Sequence, residues 1–430
     1  TWPPRPPQPA SCQRTTADRT LTPMPSQAAR YSPVYYLLVG LPLRVAPDVD
    51  GVVAARLLSA LLSALLLAAA VAVALWAGNR LLLAGVVLVS TPLAMNLDGA
   101  VNPNGLEISA GVLLFASLLT LLGSARRPGA TATRWLLAAA AAAAVPLITV
   151  RQLGPVLFGC VLAACLLAAR TDRLVELVRG RTLWLGLGLP VLVAMAGSGW
   201  WLRWSGVTDI AQVPGDGHPW GVVEILTRLP GERFRFYADQ IVARFSYGET
   251  TVSPVLVAGW YLLVGALVLP ALWFAGARLR AAVAGVFAVC LAILVVGEIA
   301  FVPTYGWYSH SRYIMPVGVG VVLLAATGER YRAFLAGRGW LGLPVTLLVA
   351  ATVPIDLATL VRVMSRFQVG VTASLRPFDG AWQPPFGPVP VLLAAVAGAA
   401  GLVALVAWPV PRNDAEIETF SPVTRAAVSG

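Results

Sequence analysis

Between Val52 and Val410 the chain alternates apolar runs with short polar breaks, and each run has the roughly 20 residues that an α-helix needs to cross a bilayer. The pattern predicts an all-α, polytopic membrane helix bundle. It gives about eleven transmembrane spans, near 52–77, 81–97, 104–124, 134–150, 153–170, 183–202, 254–276, 281–300, 312–328, 338–361 and 389–410. Segment 31–47 is apolar but too short and too punctuated by proline to span. It reads as an interfacial or re-entrant helix, and Tyr31, Tyr35 and Tyr36 suit a position where a ring meets lipid and its hydroxyl meets water.

The breaks are of two kinds. One set, at Arg80, Arg126-Arg127 to Arg134, Arg170 to Arg181, Arg278 to Arg280 and Arg330 to Arg338, carries arginine and little else. The other carries Asn, Asp, aromatics and long polar loops. Cationic loops stay in the cytoplasm, so the second set is expected on the outer face. The expected organisation is an outer-face loop and interfacial helix over 1–51, an N-terminal bundle over 52–202, an extracytoplasmic loop over 203–253, a C-terminal bundle over 254–410 and a cytoplasmic tail over 411–430. In the long loop, Val222 to Leu229 and Phe234 to Phe245 have helical amphipathic spacing and read as short helices on the membrane surface. The alanine run 137–144 reads as a helix-packing surface. A further span is expected upstream of Thr1.

Composition agrees. The chain is 58% hydrophobic and only 12% charged, with mean hydropathy +0.76, against about half apolar and a quarter charged in soluble domains. The net charge is +11, and the positive charge is wholly arginine, because the sequence contains no lysine. Most of it sits at span ends, so it reports topology and not nucleic-acid binding. The lysine-free, Ala- and Arg-rich composition suggests a GC-rich genome. Four cysteines and two histidines form no disulfide framework or zinc spacing, and no nucleotide fingerprint stands in a supporting context. No cofactor is implied, and a divalent metal ion is left open.

Few groups inside the spans can carry chemistry. The acids are Glu107, Glu298 and Asp356, all expected in the outer part of their helices. Ionisable groups in a membrane are costly unless they face a cavity or a partner, so three near one face suggest a hydrated cavity opening outward. Arg151 and Arg312 break the cationic-inside pattern at the same level. Either they hold a phosphate through a guanidinium fork, or they pair with those acids. The turn from Asn96 to Asn104 is dense in turn formers. Asn104 is expected to cap the following helix, and Asp98, Asn102 and Asn104 offer a sugar its donors and acceptors. His218 and His310 are both expected outside.

Three short motifs carry a family resemblance. Ser32-Pro33-Val34-Tyr35-Tyr36-Leu37-Leu38 with Arg56 to Leu61 resembles the second-span region of GT-C-type glycosyltransferases. Asn102-Pro103-Asn104-Gly105 and Ser311-Arg312-Tyr313-Ile314-Met315-Pro316 resemble the NPD-like and GRY-like elements of a bacterial branch of predicted membrane proteins with that fold. The resemblance implies a site under the outer loops where a sugar leaves a polyprenyl-phosphate-linked donor for a cell-envelope glycan or lipid acceptor. It implies an acidic base in the first outer loop, where residues 1–30 offer only Asp18, and Asn104 stands where the family often has Asp.

The resulting expectation is an integral plasma-membrane glycosyltransferase. Asp98 and Glu107 are its candidate catalytic carboxylates. Asn102, Asn104, Arg151, Glu298, His310, Arg312, Tyr313 and Asp356 are its candidate substrate-binding residues. Membrane lipids are partners and nucleic acid is not. A transporter or flippase of an anionic or lipid-linked substrate would instead need broken helices or acids near mid-membrane, for which Pro190 and Pro354 offer kinks. A non-catalytic scaffold of envelope assembly is the third reading.

Overall fold

The protein is described here from a computed structural model that covers residues 8–12, 31–123, 128–206, 217–246, 248–371 and 375–408. Asp18, the Arg126-Arg127 turn and the tail from 411 lie outside the described residues. The described residues are mostly helical. Two short helices, α1 (Pro33–Val39) and α2 (Leu41–Val45), lead into the long α3 (Val49–Trp76). Then come α4 (Arg80–Val89), α5 (Pro92–Asp98), α6 (Pro103–Gly123), α7 (Ala130–Thr149), α8 (Gly154–Ala168), α9 (Thr171–Arg179) and α10 (Arg181–Trp204). Helices α11 (Val222–Glu232) and α12 (Phe234–Ala243) precede a minimal antiparallel pair, β1 (Arg244–Phe245) with β2 (Thr250–Thr251). The chain continues through α13 (Pro254–Phe274), α14 (Ala277–Tyr305), α15 (Met315–Ala326), α16 (Glu329–Gly337), α17 (Leu343–Val369) and α18 (Pro388–Ala407).

Eight of the described helices are long and apolar enough to cross a membrane. The expected eleven spans are corrected at three places. Span 81–97 is not one rod: α4 and α5 are bent by 71° at Ser90-Thr91, and together they make a ninth span at most. Pro92 opens α5 and Thr91 caps it, its hydroxyl accepting from Ala94 N, so the sequence supplies both a stop and a restart. The segments read as spans at 153–170 and 312–328 are the shorter apolar helices α8 and α15. At 1.5 Å per residue they fall short of the roughly 30 Å of hydrocarbon. Helix α17 is interrupted at Ala351-Thr352, with Pro354 in the first turn of its second half.

Helix α6 is the axis of the bundle. Every residue from Pro103 to Leu122 is buried, as expected of a helix apolar on all sides. It packs on α3, α7 and α8. The alanine run supplies the α7 surface, with Leu137, Ala140, Ala143 and Ala144 fully buried. Between helices in lipid the attraction is close packing, so small residues sit where backbones approach. Gly111 is one such place: a Cβ there would stand 2.3 Å from the carbonyl oxygen of Pro316. That contact seats α15, and hence residues 311–313 just before it, against α6. Gly111→Ala is expected to cost about 1–3 kcal/mol through overpacking, read as a lower melting temperature in detergent. A melting temperature equal to the wild type's would refute the close approach.

Among the described residues the two kinds of polar break sort to opposite ends. Arg170, Gly276, Gly328 and Arg330 line one cleft, and Arg278 donates to the Thr171 hydroxyl. Arg80 donates to the Trp408 carbonyl at the same end, where Asn79 reaches Ala326 O. At the other end Arg151 meets Asn104, Arg233 meets Ser309 and Arg362 meets Thr251. Helices α11 and α12 appear where amphipathic spacing predicts them. Helix α12, however, is built into the bundle: Tyr237, Gln240, Val242 and Ala243 are buried, and Ile241 O accepts from the Thr91 hydroxyl at the α4–α5 break. The donor sits at the bend and the carbonyl in the loop helix: Ile241 is in the last turn of α12, where main-chain carbonyls lack an intrahelical partner, and the Thr91 hydroxyl supplies one.

Candidate functional site

The turn between α5 and α6 positions the first half of the site. Asn102, not Asn104, caps α6: its Oδ1 accepts from Asn104 N at 3.0 Å. The expectation for Asn104 fails because Pro103 opens the helix, and proline suits the first helical position. Asn104 is thereby freed, and its Oδ1 accepts from Arg151 Nη1 at 2.5 Å. One turn further, Glu107 is wholly buried and pairs with the same nitrogen at 3.1 Å. Arg151 lies in the turn between α7 and α8, with its side chain 10% exposed. Burial works against its charge, but Glu107 and the phenols of Tyr31 and Tyr313 more than offset this, and its pKa ends above the ordinary value. Glu107 Oε1 and Arg151 Nε are buried with no hydrogen-bond partner.

Residues 306–314 supply the second half. Arg312 and Arg151 share one ring: their guanidinium carbons lie 5.4 and 4.9 Å from the centroid of Tyr313. Tyr31 approaches Arg151 at 5.4 Å. Among the described residues Arg312 has no carboxylate partner, and its Nε is buried without a hydrogen bond. His310 meets Tyr313 edge-on at 5.7 Å between centroids. Burial, with Arg312 and Arg233 nearby, pushes its pKa down to about 3.

Glu298 plays a different part from the one expected. It is wholly buried on α14, and its two oxygens are taken. They accept from Tyr308 N at 2.9 Å, Ser309 N at 3.1 Å and the Tyr237 hydroxyl, and Arg233 Nε lies at 3.4 Å. Arg233 also donates to Ser309 O at 2.6 Å. Burial and the Glu298 carboxylate both raise the Tyr237 pKa, so the phenol remains a donor. Glu298 therefore ties the 306–314 segment to α12 and α14, and sets where Arg312 and Tyr313 stand.

Two expected members lie apart. The Asp98 carboxylate is buried and accepts from the Ser109 hydroxyl at 3.2 Å. Ser109 is two residues beyond Glu107, about 200° around the helix, so Asp98 and Glu107 flank α6 on opposite sides. A row of tyrosines runs between them. Tyr35 stands beside Asp98, Tyr36 meets Tyr35 at 5.1 Å, and Tyr31 stacks on Tyr36 at 6.5 Å. Asp356 lies on α17, where Oδ1 is buried without a partner, and no contact joins it to Arg151, Arg312 or Glu298 among the described residues.

The residues that sequence reasoning missed are Arg233, Tyr237 and Gln240. Gln240 accepts from Ser311 N at 2.7 Å and meets His310 Nδ1 at 2.9 Å. Ser311 completes the clasp, its hydroxyl donating to Tyr237 O at 2.8 Å. The available signal was the spacing of Tyr237 and Gln240, polar residues one turn apart on the buried face of an amphipathic helix.

A neutral His310 has a consequence for stability. Its proton is held with ordinary affinity in the unfolded chain, near 6.5, and only near 3 in the folded one. The unfolded state binds the extra proton between those values, so stability falls as pH drops through that window, by up to about 1.4 kcal/mol per unit. Thermal melts of the wild type between pH 7 and pH 4 are expected to fall more steeply than those of His310→Gln. Parallel curves would contradict the depressed value.

Fold and composition thus define a multi-pass α-helical membrane protein with a cationic, tyrosine-lined site at one end. The chain belongs to the DUF2142 family of predicted membrane proteins, whose profile matches residues 1–321. A search of curated proteins found no match. Among solved structures it is similar to ArnT from Cupriavidus metallidurans, in the apo state and bound to undecaprenyl phosphate. Both are 18% identical, with TM-scores of 0.41 and 0.37. The similarity covers 88% of this chain and 66% and 67% of theirs, so the chain spans about two thirds of those proteins.

Proposed function

We propose that the chain is a GT-C-type glycosyltransferase of a plasma membrane, moving a sugar from a polyprenyl-phosphate-linked donor to an envelope glycan or lipid at the extracytoplasmic end. The observation that carries the reading is the Arg312 guanidinium, half-buried beside Arg151 and without a carboxylate among the described residues. Glu107 answers the charge of Arg151, so Arg312 is the cation left over for an anion. Two guanidinium groups on one tyrosine suit a phosphate, which they hold and whose charge they stabilise as the sugar departs. Glu107 Oε1, buried and unpartnered, is the oxygen left to receive an acceptor hydroxyl. The tyrosine row offers flat faces to a sugar, and Asn104 positions Arg151.

The experiment is transfer of radiolabelled sugar from a polyprenyl phosphosugar in proteoliposomes. Wild type should transfer label, and Arg312→Ala should abolish transfer while melting normally. Undiminished transfer by Arg312→Ala would remove the phosphate-holding role. The 71° bend between α4 and α5 favours one second reading. Ten residues of α4 rise about 15 Å, half the hydrocarbon core, and broken helices at mid-membrane suit a transporter or flippase. Movement of a labelled lipid across the bilayer without sugar transfer would decide for it.

A further inference from the structure

The hydrogen bonds around His310 fix where its proton sits. Ser311 N–H points at Gln240 Oε1 at 2.7 Å. A main-chain N–H can only donate, so that atom of Gln240 is the amide oxygen and the other is the NH2 group. The NH2 group lies 2.9 Å from His310 Nδ1, and it too can only donate. Nδ1 is therefore the acceptor and carries no proton. A doubly protonated ring would set two donors against each other, beside the charges of Arg312 and Arg233. The proton of a neutral ring is left on Nε2, which has no partner among the described residues, on a side chain that is partly exposed. The ring is held in place by Phe236 and Tyr313, each at 5.7 Å between centroids.

We propose that His310 is a neutral hydrogen-bond donor to the substrate phosphate, with its proton locked on Nε2 by Gln240. This rests on the phosphate reading of the Arg312 site. It excludes His310 as a general base, since its free nitrogen carries a proton and its bare nitrogen is occupied. It likewise excludes His310 as a metal ligand in this tautomer. It makes Gln240 and Ser311 positioning residues. The donor adds direction without charge, so Arg312 keeps the only uncompensated charge among the groups described at the site.

Two measurements test this independently. In the His218→Gln background His310 is the sole histidine, so nitrogen NMR of histidine-labelled protein reports its ring alone. The expected spectrum has one bare and one protonated nitrogen at pH 7, with Nε2 protonated. In Gln240→Glu the new carboxylate oxygen should draw a proton onto Nδ1. An Nδ1-protonated or doubly protonated ring in the parent would overturn the proposal. The second measurement is binding of dodecyl phosphate and dodecanol in detergent. His310→Gln keeps an N–H near the Nε2 position and should bind dodecyl phosphate like wild type. His310→Leu should bind it roughly tenfold more weakly, the loss of a bond to a charged group, with dodecanol unaffected. Equal binding of dodecyl phosphate by His310→Leu and wild type would overturn the donor role. Wild type with no preference for dodecyl phosphate over dodecanol would sink the phosphate reading and this donor role with it, while the NMR result would still judge the tautomer.

Discussion

Glu298→Ala is expected to lower the stability of the detergent-solubilised protein by about 3–5 kcal/mol, the range for breaking a buried ion pair from one side. The expectation follows from what the carboxylate holds. It is wholly buried, and it receives two main-chain N–H groups, a phenol and a guanidinium. Without it, Arg233 is left at 9% exposure with an unanswered charge, and the amides of Tyr308 and Ser309 lose their acceptor. Each such orphan costs about 1–3 kcal/mol. Glu298→Gln should be milder, because it keeps the shape and one acceptor oxygen. The check is thermal denaturation together with protease sensitivity of the 306–314 segment, which should rise in Glu298→Ala. A melting temperature near that of wild type would show that the segment is held by other contacts.

The second large effect concerns Glu107 and Arg151. Glu107→Leu should destabilise by about 3–5 kcal/mol, because Arg151 would remain buried without a counter-charge. The double variant Glu107→Leu/Arg151→Met should recover most of that loss, since an apolar pair replaces a buried ion pair at little cost. Activity separates the two roles of the pair. The double variant is expected to melt like wild type and to transfer no sugar. Stability that failed to return would mean that Asn104, whose Oδ1 also depends on Arg151, carries more of the energy than the ion pair. Recovered stability with retained transfer would remove Arg151 and Glu107 from the chemistry.

Much of this architecture was legible in the sequence because lipid imposes a strict rule. Backbone polar groups in hydrocarbon must be satisfied within helices, so the order and approximate ends of most of the long apolar helices follow from run length. The number of spans did not, because α8 and α15 are too short to cross and 81–97 is bent. The gathering of the described arginine breaks at one end followed from the cationic bias of cytoplasmic loops. The bend at Ser90-Thr91 was not legible, although Thr91-Pro92 marks a restart, because nothing local says that Ile241 of a distant loop supplies the partner. The depth of α12 escaped for a similar reason: an amphipathic face fits a membrane surface and a protein groove equally well.

The site was legible in its parts and not in its grouping. Arg151 and Arg312 stood out as cations on the wrong end, and they do share Tyr313. Glu107 and Asp98 looked like neighbours along the chain, yet Ser109 holds Asp98 on the far side of α6. Glu298 read as a substrate group because its cost in a membrane asked for an explanation. The explanation was Arg233 and Tyr237, about sixty residues earlier in the chain. Sequence spacing reports the faces of one helix, and it is silent on which distant helix comes to meet them.

The most direct measurement is the affinity of the purified protein for a polyprenyl phosphate against the corresponding polyprenol, in wild type and in Arg312→Ala. Wild type should prefer the phosphate by at least roughly tenfold, the scale of one charge-assisted hydrogen bond, and Arg312→Ala should lose that preference while retaining its fold. Equal affinity of wild type for the two lipids, or an unchanged preference in Arg312→Ala, would contradict the assignment of this end of the bundle to a phosphate-bearing lipid.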